Sequence, residues 1–141
     1  MNFKRSLTII LAILAIPCIN ATGGEFSIYS SQTEKHAETF VQFSHGFYSS
    51  VQFLPHQVVR NGYGIYGVIN DTVFMLSLNK SYEFLNKDID DSEILQVDSV
   101  QHVSRINIAQ LSSDQHTIYM KKRLNNEKIE NIQFQGQLGF W

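Results

Sequence analysis

Alternating apolar and polar residues predict a mostly β protein, a small single domain built on a mixed or antiparallel sheet, with α+β as the alternative. Three observations carry this expectation. From Val41 to Phe53 the odd positions read Val41, Phe43, His45, Phe47, Ser49, Val51, Phe53 against mainly polar even positions. The apolar residues are largely β-branched or aromatic, which suits a pleated surface. Two such runs, ending at Ile69 and starting at Thr72, flank Asn70-Asp71, a favoured two-residue turn, so Ile65 to Leu78 is expected to be a β-hairpin.

Taken in order, the chain opens with Lys4 and Arg5, an apolar run from Leu7 to Ile16, then Pro17 and a short polar stretch to Ala21. That is the three-part pattern of a secretory signal, so 1–21 is read as a removable leader and 22–141 as one globular domain. The apolar core is about ten residues, against roughly 20 needed to span a bilayer, so no transmembrane anchor is expected. Cleavage near Ala21 would leave the protein secreted or periplasmic. Pro17 stands where a small residue would precede a lipidated Cys18, so lipidation is not expected.

Downstream, a helix is expected only around Ser30 to Phe40 and around Asn126 to Glu130. The Val41 to Phe53 strand pattern is expected to break or bulge near Gly46, and Arg60-Asn61-Gly62 reads as a tight turn. Tyr63 to Ile69 and Thr72 to Leu78 are the hairpin strands, followed by a polar connection over Lys80 to Asp91. Glu93 to Val97, Val103 to Ala109, Thr117 to Met120 and Ile132 to Phe140 are further extended candidates. A helix over Ser92 to Leu111 is rejected because its apolar residues point all round the wheel. An outer-membrane barrel is not expected, since the strands read as too few to close one and Trp141 is out of phase with Ile132, Phe134, Leu138 and Phe140.

Composition removes several function classes. The net charge is -2, and loss of Lys4 and Arg5 with the leader makes the remainder more acidic, so nucleic acid is not an expected partner. Cys18 is the one cysteine, which leaves the mature chain without a disulfide or a cysteine metal ligand. The histidines at 36, 45, 56, 102 and 116 have no zinc-ligand spacing, and the acidic cluster Asp88, Asp90, Asp91, Glu93 lacks the glycine and glutamate of a calcium loop. No metal site is expected. Lys121, Lys122 and Arg123 read as a solvated basic face.

Phe40-Val41-Gln42-Phe43-Ser44-His45-Gly46-Phe47-Tyr48-Ser49-Ser50, then Gly62-Tyr63-Gly64-Ile65-Tyr66-Gly67-Val68, then Asp91-Ser92-Glu93-Ile94 follow one another in an order and spacing that resemble the catalytic A chain of the cholera toxin and heat-labile enterotoxin family. The resemblance runs over about Ile28 to Ile108. It implies an ADP-ribosyltransferase fold, NAD as substrate and a protein as acceptor. Glu93 would hold the ribose and oppose the charge of an oxocarbenium-like transition state, Asp91 would approach the acceptor, and Ser49 would brace Glu93. Ser50 and Tyr48 would lie beside the cofactor.

Departures from the family pattern imply a reduced or degenerate member with weak or lost transfer. Ser30 stands where the family carries an arginine on the NAD phosphates, and Asp91 is one methylene shorter than the family's glutamate. Arg60 and Arg105 are the cations that could replace that arginine. The alternative reading is a non-catalytic exported β-sandwich or barrel binding module, of an inhibitor or immunity type, that presents aromatic residues to a protein partner.

Overall fold

The computed structural model describes residues 3–32, 37–85, 105–121 and 126–140. One helix, α1 (Phe3–Thr22), precedes nine strands: β1 (Glu25–Gln32), β2 (Ala37–Ser44), β3 (Phe47–Leu54), β4 (Val58–Ile69), β5 (Thr72–Phe84), β6 (Ile106–Leu111), β7 (Thr117–Lys121), β8 (Asn126–Glu130) and β9 (Gln133–Gln137). A short 3-10 turn, Pro55–Gln57, joins β3 to β4. No described helix is long and apolar enough to cross a membrane.

All pairings are antiparallel, and the spatial order is β8-β7-β6-β5-β4-β3-β2-β1-β9. The eight consecutive strands β1 to β8 thus form a meander, while β9 returns to pair with β1. The two edge strands, β8 and β9, are joined only by Asn131 and Ile132. So short a link spans about 10 Å, so the sheet has to curl until its edges meet. Asn131 supports the sharp link with a left-handed φ of 57°, and the Ile132 N–H is held by the His116 carbonyl at 3.0 Å. β1 and β8 accordingly come into contact.

Curling gives the sheet a concave and a convex face, and the core fills the concave one. Phe26, Phe43 and Tyr66 form its centre: Phe26 stacks on Phe43 at 4.2 Å, and Tyr66 meets Phe43 edge-on at 5.0 Å and Phe26 edge-on at 5.7 Å. Phe43 is 1% exposed and Tyr66 2%. Full burial of each such ring contributes about 1.5–3 kcal/mol, with about 0.5–1.5 kcal/mol more for each well-placed ring pair. Tyr48, Val68, Val73, Ala109, Leu111, Ile118 and Ile132 extend the cluster. Gly64 is small because Tyr48 covers it: a Cβ there would lie 2.6 Å from the Tyr48 ring.

The last turn of α1 is part of this core. Ala21 and Asn20 are fully buried, and the Tyr66 hydroxyl donates to the carbonyls of Ala21 at 3.0 Å and Gly24 at 3.1 Å. Pro17 rests against Gly67 of β4, where a Cβ would come within 2.8 Å of the proline ring.

The hairpin over Ile65 to Leu78 forms as expected, turning at Asn70 and Asp71, with Asn70 at φ 51°. Four other expectations are corrected. Ser30 to Phe40 is not helical where it is described: it contributes to β1 and β2, because Phe26, Ile28, Val41 and Phe43 can be buried together only by pairing the segments. Asn126 to Glu130 is a strand, since pairing with β7 sets Ile129 opposite Ile118. Arg60-Asn61-Gly62 lies inside β4, and Lys80 to Phe84 continues β5, so the polar residues there are strand residues. The strands are therefore more numerous and longer than expected, and they do curl until the edges meet. The strand candidate Glu93 to Val97 lies outside the described residues.

Removing the Tyr66 hydroxyl leaves two carbonyls without that donor, so Tyr66→Phe is expected to lower the unfolding free energy by about 1–3 kcal/mol in urea titrations. Burial is also the main reason that the phenol pKa values of Tyr48 and Tyr66 are raised above 10.0. Between the unfolded value and the raised native one, the native state holds more protons than the unfolded chain. Stability is therefore expected to be full below about pH 10 and to fall as pH rises through that window. Urea midpoints measured from pH 8 to 11 check this, and Tyr66→Phe should make the decline shallower.

Candidate functional site

Strand residues alternate between the two faces, and a two-residue turn fixes which residues of the next strand share a face. His45 and Gly46 make such a turn, both with positive φ, so Phe43 pairs with Tyr48 and Ser44 with Phe47. The parity of the pattern therefore switches. In β2 the odd residues Val41 and Phe43 face the core; in β3 the even residues Tyr48, Ser50, Gln52 and Leu54 do. Phe47, Ser49, Val51 and Phe53 are left on the convex face.

This divides the residues singled out in the sequence. Ser49 is exposed on the convex face, whereas Tyr48 and Ser50 point to the concave one. Tyr48 is a core residue: its ring lies 5.8 Å from Phe43 and its hydroxyl bonds the Ser77 side chain. Ser50 sits over Gly62 of the paired strand. Adjacent residues on one strand cannot address one cleft, so Tyr48 and Ser50 are not assembled with Ser49. Asp91 and Glu93 lie outside the described residues. Arg60 belongs to the concave side, half-buried, and its guanidinium donates to the Gln52 amide oxygen; Arg105 is exposed next to β6.

Arg60 is one member of a polar row across the concave face, in which the register pairs Ser30 with Thr39, Thr39 with Gln52, Gln52 with Arg60 and Arg60 with Tyr82. The row separates the aromatic core from a smaller apolar group of Ala37, Leu54 and Val58. Among the described residues no buried side-chain polar atom lacks a hydrogen-bond partner, and within this half-buried row the Arg60 guanidinium is bonded to Gln52. No group of His, Cys, Asp and Glu among the described residues is placed to hold a metal.

The convex face is different. Phe47 pairs with Ile65, Ile65 with Leu76 and Leu76 with Ile106, so one apolar row crosses β3, β4, β5 and β6 at right angles to the strands. Tyr63 stacks on Phe47 at 6.2 Å with the rings 9° from parallel, and Leu78 stands beside the row where the β4–β5 register shifts. Phe47 is 52% exposed, Leu78 57% and Ile106 61%. The convex positions of β1, β9 and β8 carry Ser27, Ser31, Gln133, Gln135, Lys128 and Glu130 instead, the last two forming an ion pair. The register-aligned exposed apolar row thus lies on β3 to β6, with Phe40 of β2 and Tyr119 of β7 as further exposed aromatic residues.

No known protein family matches the chain, and no curated protein is detectably similar to it.

The assignment of faces has a direct test. Phe47→Lys and Ile106→Lys are expected to change stability by less than about 1 kcal/mol, as surface substitutions do. Val68→Lys places a charge in the core and is expected to cost several kcal/mol or prevent folding, a contrast that urea denaturation resolves.

Proposed function

We propose that this chain is an exported, non-catalytic binding module whose contact surface is the convex side of β3 to β6. The observation that carries the reading is the continuous row Phe47, Ile65, Leu76, Ile106 on the convex face, with Tyr63 and Leu78 beside it and all but the half-buried Ile65 exposed. Scattered exposed apolar residues are ordinary, but a register-aligned row crossing four strands is the pattern of a surface that a partner covers. Rigid aromatic and aliphatic anchors on a hydrogen-bonded sheet lose little side-chain entropy on docking, which makes them effective contact residues. The partner implied is a protein with an apolar patch of its own. Its polar rim would meet Ser49 and Asn61, which lie on the same convex face.

Export rests on the basic start and short apolar run, and localises the module to the periplasm or the exterior. The filled concave face supports contact through the outside of the sheet, because the aromatic cluster occupies the space an enclosed ligand would need.

The test is site-specific photo-crosslinking from Tyr63 in exported protein. A covalent adduct with a second protein, lost in Leu76→Asp and absent when the crosslinker stands at Gln135, is the expected result. An adduct of twice the chain's mass would identify a second copy as the partner. A rise in melting temperature on adding NAD, with no adduct from Tyr63, would instead favour the toxin A-chain-like reading, in which Ser49, Asp91 and Glu93 act on NAD.

A further inference from the structure

The leader expected from the sequence ends at Ala21, yet the packed fold begins before that residue. Asn20 and Ala21 are both 0% exposed. The Asn20 amide donates through Nδ2 to the Val68 carbonyl of β4 at 3.2 Å, and its Oδ1 accepts from the Phe140 N–H at 2.7 Å. One side chain therefore ties the middle of the sheet to the segment that follows β9. Gly139 lies directly against the same amide, and Phe140 covers Gly23. The Ala21 carbonyl takes the Tyr66 hydroxyl.

Immediately upstream the character changes. Leu7, Ile9, Ile10, Leu11, Ile13, Ile16 and Ile19 are all about half exposed, and Cys18 is exposed as well. A half-exposed apolar stretch, held to the sheet at Pro17 against Gly67, suits a leader. Asn20 and Ala21 have the opposite character, since both are fully buried and hold the buried Val68 carbonyl and Tyr66 hydroxyl respectively. A cut after Ala21 would remove the acceptor of the Phe140 N–H, the donor to Val68 and an acceptor of Tyr66 together, and would empty the end of the core.

We propose that Asn20 and Ala21 remain in the mature protein, and that removal of the leader takes place on the N-terminal side of Asn20. This rests on export, but its test separates the two. Exported protein made from the full chain is purified and its N-terminus read by intact mass and terminal sequencing. A first residue at or before Asn20 is expected, including one at Cys18 with or without an added acyl mass. Folded exported material that begins at Thr22 would overturn the proposal. Uncleaved protein held in the cytoplasm would contradict export while leaving the retention of Asn20 upheld. As a second measurement, Asn20→Ala in the full chain is expected to lower the melting temperature by about 3–8 °C, because the buried Val68 carbonyl and the part-buried Phe140 N–H lose this partner. An unchanged melting temperature would mean that Asn20 is not part of the fold.

Discussion

Tyr66 is the residue through which the aromatic core and the chain entering the sheet are held together. Its ring closes the aromatic centre against Phe26 and Phe43, and its hydroxyl holds the chain where α1 passes into β1. A curled sheet needs its concave face filled and its open end covered, and both conditions meet at this residue. Phe26 comes from the first strand, Phe43 from the second and Tyr66 from the fourth, so the cluster forms only when β1 to β4 are paired in register. Once they are, Ile132 and the short β8–β9 link draw the far edge round to the same core.

The two faces then have distinct physical tasks. Inside, the layers run from aromatic to polar to apolar, and the polar row of Ser30, Thr39, Gln52, Arg60 and Tyr82 is paired within the sheet. Such a layer favours one strand register, because a one-residue slip would turn these polar groups outward and bring Phe47 or Tyr63 inward. Outside, the apolar row joins β3 to β6 through cross-strand pairs and leaves much of its surface in water.

The strand content and the central hairpin were legible in the sequence because they follow from local pattern and turn chemistry. Asn70-Asp71 sits between two apolar runs and turns as such pairs do. Ser30 to Phe40 and Asn126 to Glu130 were misread because Glu38, Ala37, Lys128 and Glu130 favour helix locally, while the burial of Phe43 and Ile129 that overrides them is a long-range effect. The contact face was hidden for a subtler reason. His45-Gly46 interrupts a run of odd-numbered apolar residues without breaking their count, so Phe43 and Phe47 look like neighbours on one face. The two-residue turn puts them on opposite faces and makes Tyr48 the core residue. Recognising His45-Gly46 as a hairpin turn rather than a bulge is the one signal that would have exposed Phe47, Ser49 and Phe53 to solvent from sequence alone.

The division of aromatic residues between a filled interior and a free exterior is the claim on which the functional reading stands. Relaxation of the ring protons by a soluble paramagnetic probe, recorded by NMR on the purified protein, measures it directly. Strong relaxation at Phe47, Phe53 and Tyr63, with protection at Phe26, Phe43 and Tyr66, is the result the account requires. Protection of Phe47 and Tyr63 in the isolated monomer, or strong relaxation of Phe43, would contradict it.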